Sequence, residues 1–271
     1  MRIEFARRRA EIVRTIRGFF DAQGFVEVST PVLIAAPAPE PHIDCPACGG
    51  GFLRASPELQ MKKLLAAGMD RIYQMGPCFR EGERGSRHHP EFTMLEWYRL
   101  GATYRDIARD LEGLMKTFDP ALAPETVTVR EAYRRWARWD PWTDWNADRF
   151  DFDMATRIEP NLPRGPVFLT DYPPAAASLS KLRGDVAERW EFYWRGMELA
   201  NCFTELCDPL EQRRRFERAR AERRGLGEAD YPLDEDFLDC LGAIPSAAGV
   251  ALGVDRLVML LVGAEAISDV L

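Results

Sequence analysis

The sequence predicts an α+β fold, and two observations lead to that prediction. Several stretches carry apolar residues at helical spacing among charged ones, which is typical of helices that cover a core with one face. Other stretches are short, rich in Val, Phe, Tyr and Trp, and predict strands without a regular β-α-β rhythm. This irregular order favours an antiparallel sheet flanked by helices over a doubly wound parallel sheet.

The N-terminal third begins with a helical stripe. A helix is predicted over 5–23, ended by Gly24, from the apolar residues Phe5, Ile12, Val13, Ile16, Phe19 and Phe20. The elements predicted after it are a strand over 25–28 that Pro31 breaks, a Pro- and Gly-rich loop over 36–51, a helix over 57–67 with Ser56 as N-cap, and strands over 71–75 and 92–97.

The remaining elements are less regular. A second amphipathic helix is predicted over 103–117, and the Trp-, Pro- and Asp-rich stretch 118–165 is interpreted as a small helical insertion. The later elements are strands over 166–170, 189–195 and 197–206, helices over 209–224 and 232–241, and a strand running into an apolar helix over 249–261. The charged face of the helix 209–224 is expected to be solvated.

Composition excludes several classes of protein. The chain has 271 residues, 46% of them apolar and 29% charged, so disorder over most of its length is not expected. A net charge of −7 and a pI of about 5.2 leave no overall basic footprint for nucleic acid. There is no apolar run of the ~18 residues that a membrane helix needs, and no apolar signal core at the N-terminus. A cytoplasmic protein with free thiols is therefore the expectation.

The stretch 79–98 reads FREGERGSRHHPEFTMLEWY and joins a charged loop to a strand. Arg80 stands at the end of the first strand of a hairpin, where its guanidinium can bind two phosphate oxygens at once. Arg87 and His88 can reach more distal phosphates from the loop. The alternative is a solvated charged turn, but Glu96 and Tyr98 share one face of the following strand, and a carboxylate is costly to bury there without a partner.

Three carboxylates spaced by seven residues form the second candidate site. Glu191, Glu198 and Glu205 fall on two predicted neighbouring strands, joined by a turn near Arg195–Gly196. Carboxylates in this arrangement can hold Mg²⁺, and one of them can equally bind an ammonium group. The alternative is a solvent-facing sheet edge, which the surrounding Trp, Phe and Leu residues argue against.

The third candidate is GVALGVDRL at 249–257. Gly249 and Gly253 allow a ligand to approach the backbone closely, and Arg256 begins a helix where a second guanidinium can meet a polyphosphate. Glycines before a helix are common, so this stretch alone indicates little.

Taken in order, these stretches resemble a known family. The segments FR…RHHPEFTMLEWY and GVALGVDRLVML resemble motifs 2 and 3 of class II aminoacyl-tRNA synthetases of the lysyl type, and GFVEVSTPVL (24–33) resembles the dimer-forming motif 1. The resemblance spans nearly the whole chain. It implies a single catalytic domain over 1–271, a homodimer through Gly24–Leu33, and no anticodon-binding domain.

The truncated form resembles the lysyl-tRNA synthetase paralogues that modify elongation factor P. Gln74 supports this branch, since true lysyl enzymes carry Glu there. The resemblance implies an ATP-dependent ligase that activates a lysine-type amino acid, (R)-β-lysine in that family, as an adenylate. It further implies transfer to a lysine side chain of elongation factor P, with neither tRNA nor a membrane as partner.

The resemblance also implies residue roles. Arg80 and Arg256 match catalytic arginines on the ATP phosphates, with His88 beside them. The other ATP-site matches are Glu81, Glu83, Glu198, Leu199 and Gly253. The amino-acid pocket matches are Ser56, Glu58, Gln74, Tyr98, Asn201 and Glu205. Glu191 and Glu198 match the residues that hold Mg²⁺.

This chain departs from the family pattern in several places. The family reads Arg-Asn-Glu where this chain has Arg80-Glu81-Gly82, so the carboxylate expected to meet adenine shifts to Glu81 or Glu83. His89 replaces the family's Asn. The family's Cys-Ser before motif 3 is also missing from 245–248.

The pocket strand 198–206 departs as well. Cys202 stands where the family has Gly. Because Glu198 and Glu205 are an odd number of residues apart, a β-bulge is needed to aim both at one side of the strand, and Gly suits a bulge better than Cys.

His42, Cys45 and Cys48 have two interpretations, a zinc site and a reduced surface loop. The spacing supplies three ligands but no second pair, so the surface loop is favoured and zinc is not expected.

Two other functions remain compatible with the sequence. One is the same aminoacyl chemistry on another acceptor, such as a tRNA, a carrier protein or a small amine, which the departures in 198–206 and 245–248 favour. The other is a catalytically silent regulatory paralogue, which only the lost Asn-Glu pair favours.

Overall fold

The computed structural model describes residues 2–271. Its helices are α1 (Ile3–Ala22), α2 (Glu58–Ala66), α3 (Tyr104–Lys116), α4 (Val129–Ala132), α5 (Ala147–Asp153), α6 (Pro209–Leu226), α7 (Glu235–Leu241) and α8 (Val254–Val262). Its strands are β1 (Val26–Glu27), β2 (Leu33–Ile34), β3 (Ala47–Cys48), β4 (Gly51–Leu53), β5 (Arg71–Phe79), β6 (Glu91–Leu100), β7 (Glu125–Thr128), β8 (Val167–Tyr172), β9 (Leu182–Arg183), β10 (Val186–Trp194), β11 (Met197–Thr204) and β12 (Ala247–Gly253).

The chain divides into two compact units. Unit 1 comprises residues 2–101, Cys207–Ala247 and Ala251–Leu271, and unit 2 comprises Ala102–Leu206 and Ala248–Val250. Strand β12 therefore contributes residues to both. The expectation of one catalytic domain over 1–271 stays a prediction.

Unit 1 is organised around a long hairpin. Strands β5 and β6 pair antiparallel from Arg71↔Arg99 to Phe79↔Glu91, and β1 pairs with β5 in the parallel sense. Helix α1 buries Ile12, Ile16 and Phe20, which lie four residues apart on one face and belong to the predicted apolar stripe. The Phe20 ring stacks on Tyr73 of β5 with ring centroids 4.7 Å apart, so α1 is packed onto the hairpin that carries the charged loop.

Part of the predicted loop 36–51 is a sheet. Strands β3 and β4 pair antiparallel with Cys48 opposite Gly51, and β4 also pairs with β2. Gly49 and Gly50 adopt positive φ values of 55° and 86° in the tight connection, a backbone that glycine adopts without strain. The prediction of an unbroken loop was wrong, because Gly and Pro mark turns equally well within a short hairpin.

Unit 2 is a mixed sheet covered by helices. Strand β10 pairs antiparallel with β8, β9 and β11, while β7 pairs in parallel with β8. The stretch 118–165 holds helices α4 and α5 together with β7, a strand that the sequence did not indicate. The rings of Tyr133 and Phe150 stack with centroids 4.7 Å apart and pack this stretch onto its own core.

The α+β class is confirmed by this combination of antiparallel strands and flanking helices. The parallel pairs β1–β5 and β7–β8 were not predicted. Within residues 2–271, no helix has the length and apolar character needed to cross a membrane.

Candidate functional site

The predicted amino-acid residues of unit 1 gather around a buried carboxylate. Glu96 of β6 is 0% exposed. The Ser56 hydroxyl donates to its Oε1 at 2.6 Å, and the Tyr98 hydroxyl donates to its Oε2 at 2.8 Å. Burial, with a smaller contribution from the nearby Glu58 carboxylate, raises the pKa of Glu96 to about 7. This acid is therefore poised between its neutral and charged forms near neutral pH.

Glu96 was not among the predicted site residues. The signal was present in the sequence, since period-two alternation places it on the same face as Tyr98. What the sequence did not reveal is that Ser56, forty residues earlier, also bonds to it.

Glu58 stands beside this cluster at the start of α2. Its backbone N–H donates to the Ser56 hydroxyl at 3.0 Å, although the N-cap of α2 is Pro57 and not the predicted Ser56. Its carboxylate receives a hydrogen bond from Lys62 Nζ at 2.6 Å, one turn along the helix, and the Lys62 side chain is 1% exposed. Glu58 is thus already charge-compensated within α2.

Gln74, which is predicted to belong to the amino-acid pocket, also makes a structural contact. It lies opposite Glu96 in the β5–β6 pair and is 4% exposed. Its amide oxygen accepts from the Thr30 backbone N–H at 3.1 Å and from the Thr30 hydroxyl at 2.9 Å. The amide oxygen therefore ties β5 to the segment that follows β1.

Arg80 has the chemistry of an anion-binding group. Its guanidinium lies 5.2 Å from the Phe92 ring centroid and 3.4 Å from the Glu83 carboxylate. Its Nε is buried and has no hydrogen-bond partner among residues 2–271. A buried donor without an acceptor is costly, so this nitrogen fits an incoming anionic oxygen.

His88 and Arg256 are brought together. Arg256 Nη2 and His88 Nε2 are 2.6 Å apart, and Arg256 Nε donates to the Arg87 carbonyl at 3.3 Å. Burial and the positive charge of Arg256 lower the pKa of His88, so its imidazole is neutral near pH 7. A phosphate placed here would raise that pKa again. Gly253 precedes Arg256 as the N-cap of α8.

Glu81 and Glu83, at the start of the charged loop, are the residues predicted to meet adenine. The Glu81 backbone N–H donates to the Asp44 carbonyl at 2.7 Å, while the Glu81 residue is exposed. The Glu83 side chain lies against Arg80 as described above. Neither contact assigns a nucleobase partner, and both roles stay predictions.

In unit 2, the predicted turn joins the two strands. Arg195 and Gly196 adopt φ values of 53° and 70° between β10 and β11. Across the strand pair, Glu191 lies opposite Asn201, and Glu198 lies opposite Tyr193.

The predicted β-bulge is confirmed, and it lies at Leu199. Phe192 pairs with Ala200 and Tyr193 pairs with Glu198, which leaves Leu199 as the extra residue on β11. The extra residue reverses the side-chain alternation between Glu198 and the residues that follow it. The odd spacing of Glu198 and Glu205 required such a reversal. Cys202 remains in regular pairing with Trp190, so a Gly is not needed there.

Glu191 is paired within the protein. Its Oε1 accepts from Arg189 Nη2 at 2.6 Å, and its Oε2 accepts from the Tyr193 hydroxyl at 2.7 Å. Arg189 also donates to the Asn201 side-chain oxygen at 3.2 Å. With a guanidinium against it, Glu191 in this arrangement does not fit a metal ligand. Residues 2–271 contain no group of three acidic, His or Cys side chains able to hold a metal.

Glu205 lies just beyond β11 and not within a long strand to 206. It is 3% exposed and forms an isolated bridge with Ser180. Burial, together with the Glu205 charge, raises the pKa of the neighbouring Cys202 thiol. The low-dielectric surroundings of Glu205 suit the recognition of a cation.

His42, Cys45 and Cys48, the three residues of the zinc alternative, have different surroundings. His42 Nδ1 lies 3.4 Å from the Glu228 carboxylate, the Cys45 backbone N–H donates to the Tyr231 hydroxyl at 2.8 Å, and Cys48 is exposed. Burial raises the pKa of Cys45 to about 11, so its thiol is protonated near neutral pH.

Comparison with known proteins adds to this geometry. The model of the family described as tRNA synthetases class II (D, K and N) matches residues 3–271. The chain is 38% identical to a Proteus mirabilis protein named elongation factor P–(R)-beta-lysine ligase, over 97% of this chain and 93% of the relative. Proteins with the same name from Photorhabdus laumondii and Hamiltonella defensa are 37% and 36% identical over the same shares.

Proposed function

Because this chain belongs to the family of class II tRNA synthetases of the D, K and N type, we propose that it is an ATP-dependent ligase for a lysine-type amino acid, (R)-β-lysine in the first instance. The amino-acid carboxylate attacks the α-phosphorus of ATP, an aminoacyl-adenylate forms, and pyrophosphate leaves. The amine of a lysine side chain on elongation factor P then attacks the acyl carbon, an amide bond forms, and AMP leaves.

One observation carries the choice of a lysine-type substrate, namely the buried Glu96 carboxyl held by Ser56 and Tyr98. The Ser56 and Tyr98 hydroxyls hold the Glu96 carboxyl group by hydrogen bonds but bring no positive charge to it. A substrate ammonium group supplies the missing positive charge, whereas an uncharged analogue leaves a buried carboxylate unpaired. Glu205, also buried, is proposed as a second acid for the amino-acid substrate, with Asn201 as a polar contact.

For the phosphates, we assign the α-phosphate to Arg80 and the leaving pyrophosphate to His88 and Arg256. The buried Nε of Arg80 supports its assignment, because it lacks an acceptor among the described residues. Charge that develops on the phosphate oxygens is stabilised by guanidinium groups already in position. Glu198, Leu199 and Gly253 are kept as proposed ATP contacts. Magnesium binding stays a prediction. Glu191 does not support it as a metal ligand, because its carboxylate is paired with Arg189.

The acceptor is proposed from the relatives, whose printed name includes elongation factor P. The test is incubation of the purified protein with ATP, (R)-β-lysine and elongation factor P, followed by intact-mass analysis. We expect the factor to gain the mass of one β-lysyl residue. An unchanged mass, alongside amino-acid-dependent exchange of pyrophosphate into ATP, would move the proposal to a tRNA, a carrier protein or a small amine as acceptor.

A homodimer through Gly24–Leu33 is proposed as well. Val26 and Leu33 of this segment are 51% and 48% exposed, although both are large apolar residues. Two exposed aliphatic side chains on short strands suit a contact with a second copy.

A further inference from the structure

One arginine of helix α6 lies off the solvated face that the sequence predicts: Arg223, near the end of the helix, is 0% exposed. Ten of the eighteen residues in α6 are charged, and its Arg214 and Arg224 side chains are 70% and 52% exposed. Burying a guanidinium is costly unless its donors are satisfied. The question is therefore which acceptors satisfy the buried guanidinium of Arg223.

Arg223 gathers the irregular segment 40–45. Its Nη1 donates to the carbonyls of Glu40 and Ile43 at 2.8 and 3.0 Å, and its Nη2 donates to the Asp44 carboxylate. The segment between Ala36 and Pro46 contains neither helix nor strand. Its backbone carbonyls thus find in Arg223 the donors that regular secondary structure would otherwise supply.

The partners of Arg223 outside this segment complete the anchor. Nε donates to the Ala229 carbonyl at 2.9 Å, and Nη1 lies 3.1 Å from the Glu228 carboxylate. The guanidinium carbon lies 4.5 Å from the centre of the Tyr231 ring. The Tyr231 hydroxyl accepts from the Cys45 N–H at 2.8 Å and donates to the Asp44 carboxylate at 3.3 Å. Arg223 and Tyr231 therefore both bind the Asp44 carboxylate, while Arg223 also reaches the start of the segment at Glu40.

Segment 40–45 contacts two groups of predicted site residues in unit 1. The Asp44 carbonyl accepts the Glu81 N–H at 2.7 Å, directly after the phosphate-binding Arg80. On its other side, Ile43 and Cys45 line a small cavity together with Ser56 and Glu58. A displacement of segment 40–45 would therefore reach both the start of the charged loop and the cavity beside Ser56 and Glu58.

We propose that Arg223 is a positioning residue for adenylate formation, acting through segment 40–45 on the backbone that follows Arg80 and on the cavity lining at Ser56 and Glu58. The proposal rests on the proposed function. Arg223 touches no reacting atom, and its effect is transmitted by the Asp44 carbonyl to Glu81. The hydrogen bond from the Glu81 N–H to the Asp44 carbonyl lies where this chain has Arg80-Glu81-Gly82 in place of the family's Arg-Asn-Glu. It uses the backbone of Glu81 and not its side chain.

The test compares Arg223→Gln with Arg224→Gln, an adjacent and exposed arginine on the same helix. Hydrogen exchange at the Glu81 amide is measured by mass spectrometry, and pyrophosphate exchange into ATP is measured at varied ATP and amino acid. For Arg223→Gln we expect loss of protection at Glu81 and a fall in kcat/KM for ATP of about tenfold or more, since small misplacements have large kinetic effects. Arg223→Lys should recover part of both, and Arg224→Gln should match the unsubstituted protein.

Protection at Glu81 and ATP kinetics that are the same in Arg223→Gln and Arg224→Gln would overturn the proposal. If Arg223→Gln does not fold, Asp44→Ala provides the test, since it removes the carboxylate that Arg223 and Tyr231 share and keeps the carbonyl that binds Glu81. Unchanged protection and kinetics in folded Asp44→Ala would then contradict the proposal. If the unsubstituted protein catalyses no exchange with any amino acid, the proposed function fails, while the Glu81 amide still reports whether Arg223 holds the loop.

Discussion

The Tyr98 hydroxyl donates a hydrogen bond of 2.8 Å to Glu96 Oε2, two residues earlier on the same face of β6. The acceptor is fully buried, and Ser56 occupies its other oxygen. A carboxyl group in these surroundings titrates near neutral pH, and in the proposed function it also recognises the substrate ammonium group. The first two predictions depend on this relationship.

Stability should fall as pH rises through the pKa of Glu96. Its folded-state pKa, about 7, lies above the ordinary value of 4.5, so the folded protein binds the proton more tightly. The stabilisation is complete below about pH 4.5 and is lost as pH rises through about 7. Urea unfolding between about pH 5 and 8 should therefore show a decline that Glu96→Gln lacks, on the order of 2–3 kcal/mol. Glu91→Gln, exposed on the same strand, should retain the decline.

Affinity for the amino acid should change in the opposite direction. A bound ammonium group favours ionised Glu96, so KM for a lysine-type substrate should fall as pH rises from about 6 to 8. Steady-state pyrophosphate exchange across this range checks it. A KM in Glu96→Gln that keeps the same pH dependence would assign the titration to another group.

Loss of Arg80 should act on the chemical step. Arg80→Ala removes the guanidinium proposed for the α-phosphate, and one such donor is worth about 10²–10³ in kcat. Single-turnover adenylate formation measures this directly. Arg84→Ala, an exposed arginine in the same loop, serves as the control and should leave the rate within about twofold.

Glu205→Gln should weaken discrimination more than it weakens folding. The amide keeps the shape of the buried side chain and removes the charge proposed to recognise a cation. We expect kcat/KM for lysine-type substrates to fall by about 10²-fold, while that for an uncharged isostere such as norleucine stays constant or rises. Equal losses for both substrates would instead indicate a general structural defect.

Asp255 should prove important for stability. It is 2% exposed, accepts from the Thr93 N–H at 2.6 Å and forms an ion pair with Arg9, so it joins α8 to β6 and α1. Asp255→Asn leaves Arg9 without its counter-charge and should cost about 2–4 kcal/mol in the free energy of unfolding. Glu11→Gln breaks the exposed Arg8–Glu11 pair and should cost less than about 1 kcal/mol.

The dimer proposal is tested by charge. Val26→Glu places a carboxylate on a side chain that is half exposed in β1, so it should separate protomers without unfolding them. Sedimentation of the unsubstituted and substituted proteins at several concentrations measures this. A monomer in both cases would remove the homodimer from the proposal.

The sequence by itself determined the α+β class, the position of most helices and strands, and the β-bulge that the odd spacing of Glu198 and Glu205 required. These features follow from local rules, because side-chain alternation, helical spacing and capping residues act within a few positions of the chain. The same local rules missed β3 and β4, where short strands hide among Gly and Pro.

Only the tertiary structure decided which charged residues are buried, and against what. Arg223 sits in a helix with the composition of a solvated surface, yet its guanidinium is enclosed by carbonyls from 40–45. Glu191 matched a metal ligand by pattern, yet Arg189 and Tyr193 occupy its oxygens. The physical reason is that the fate of a charge depends on partners distant in sequence, since burial is tolerated only where the fold delivers the compensating group.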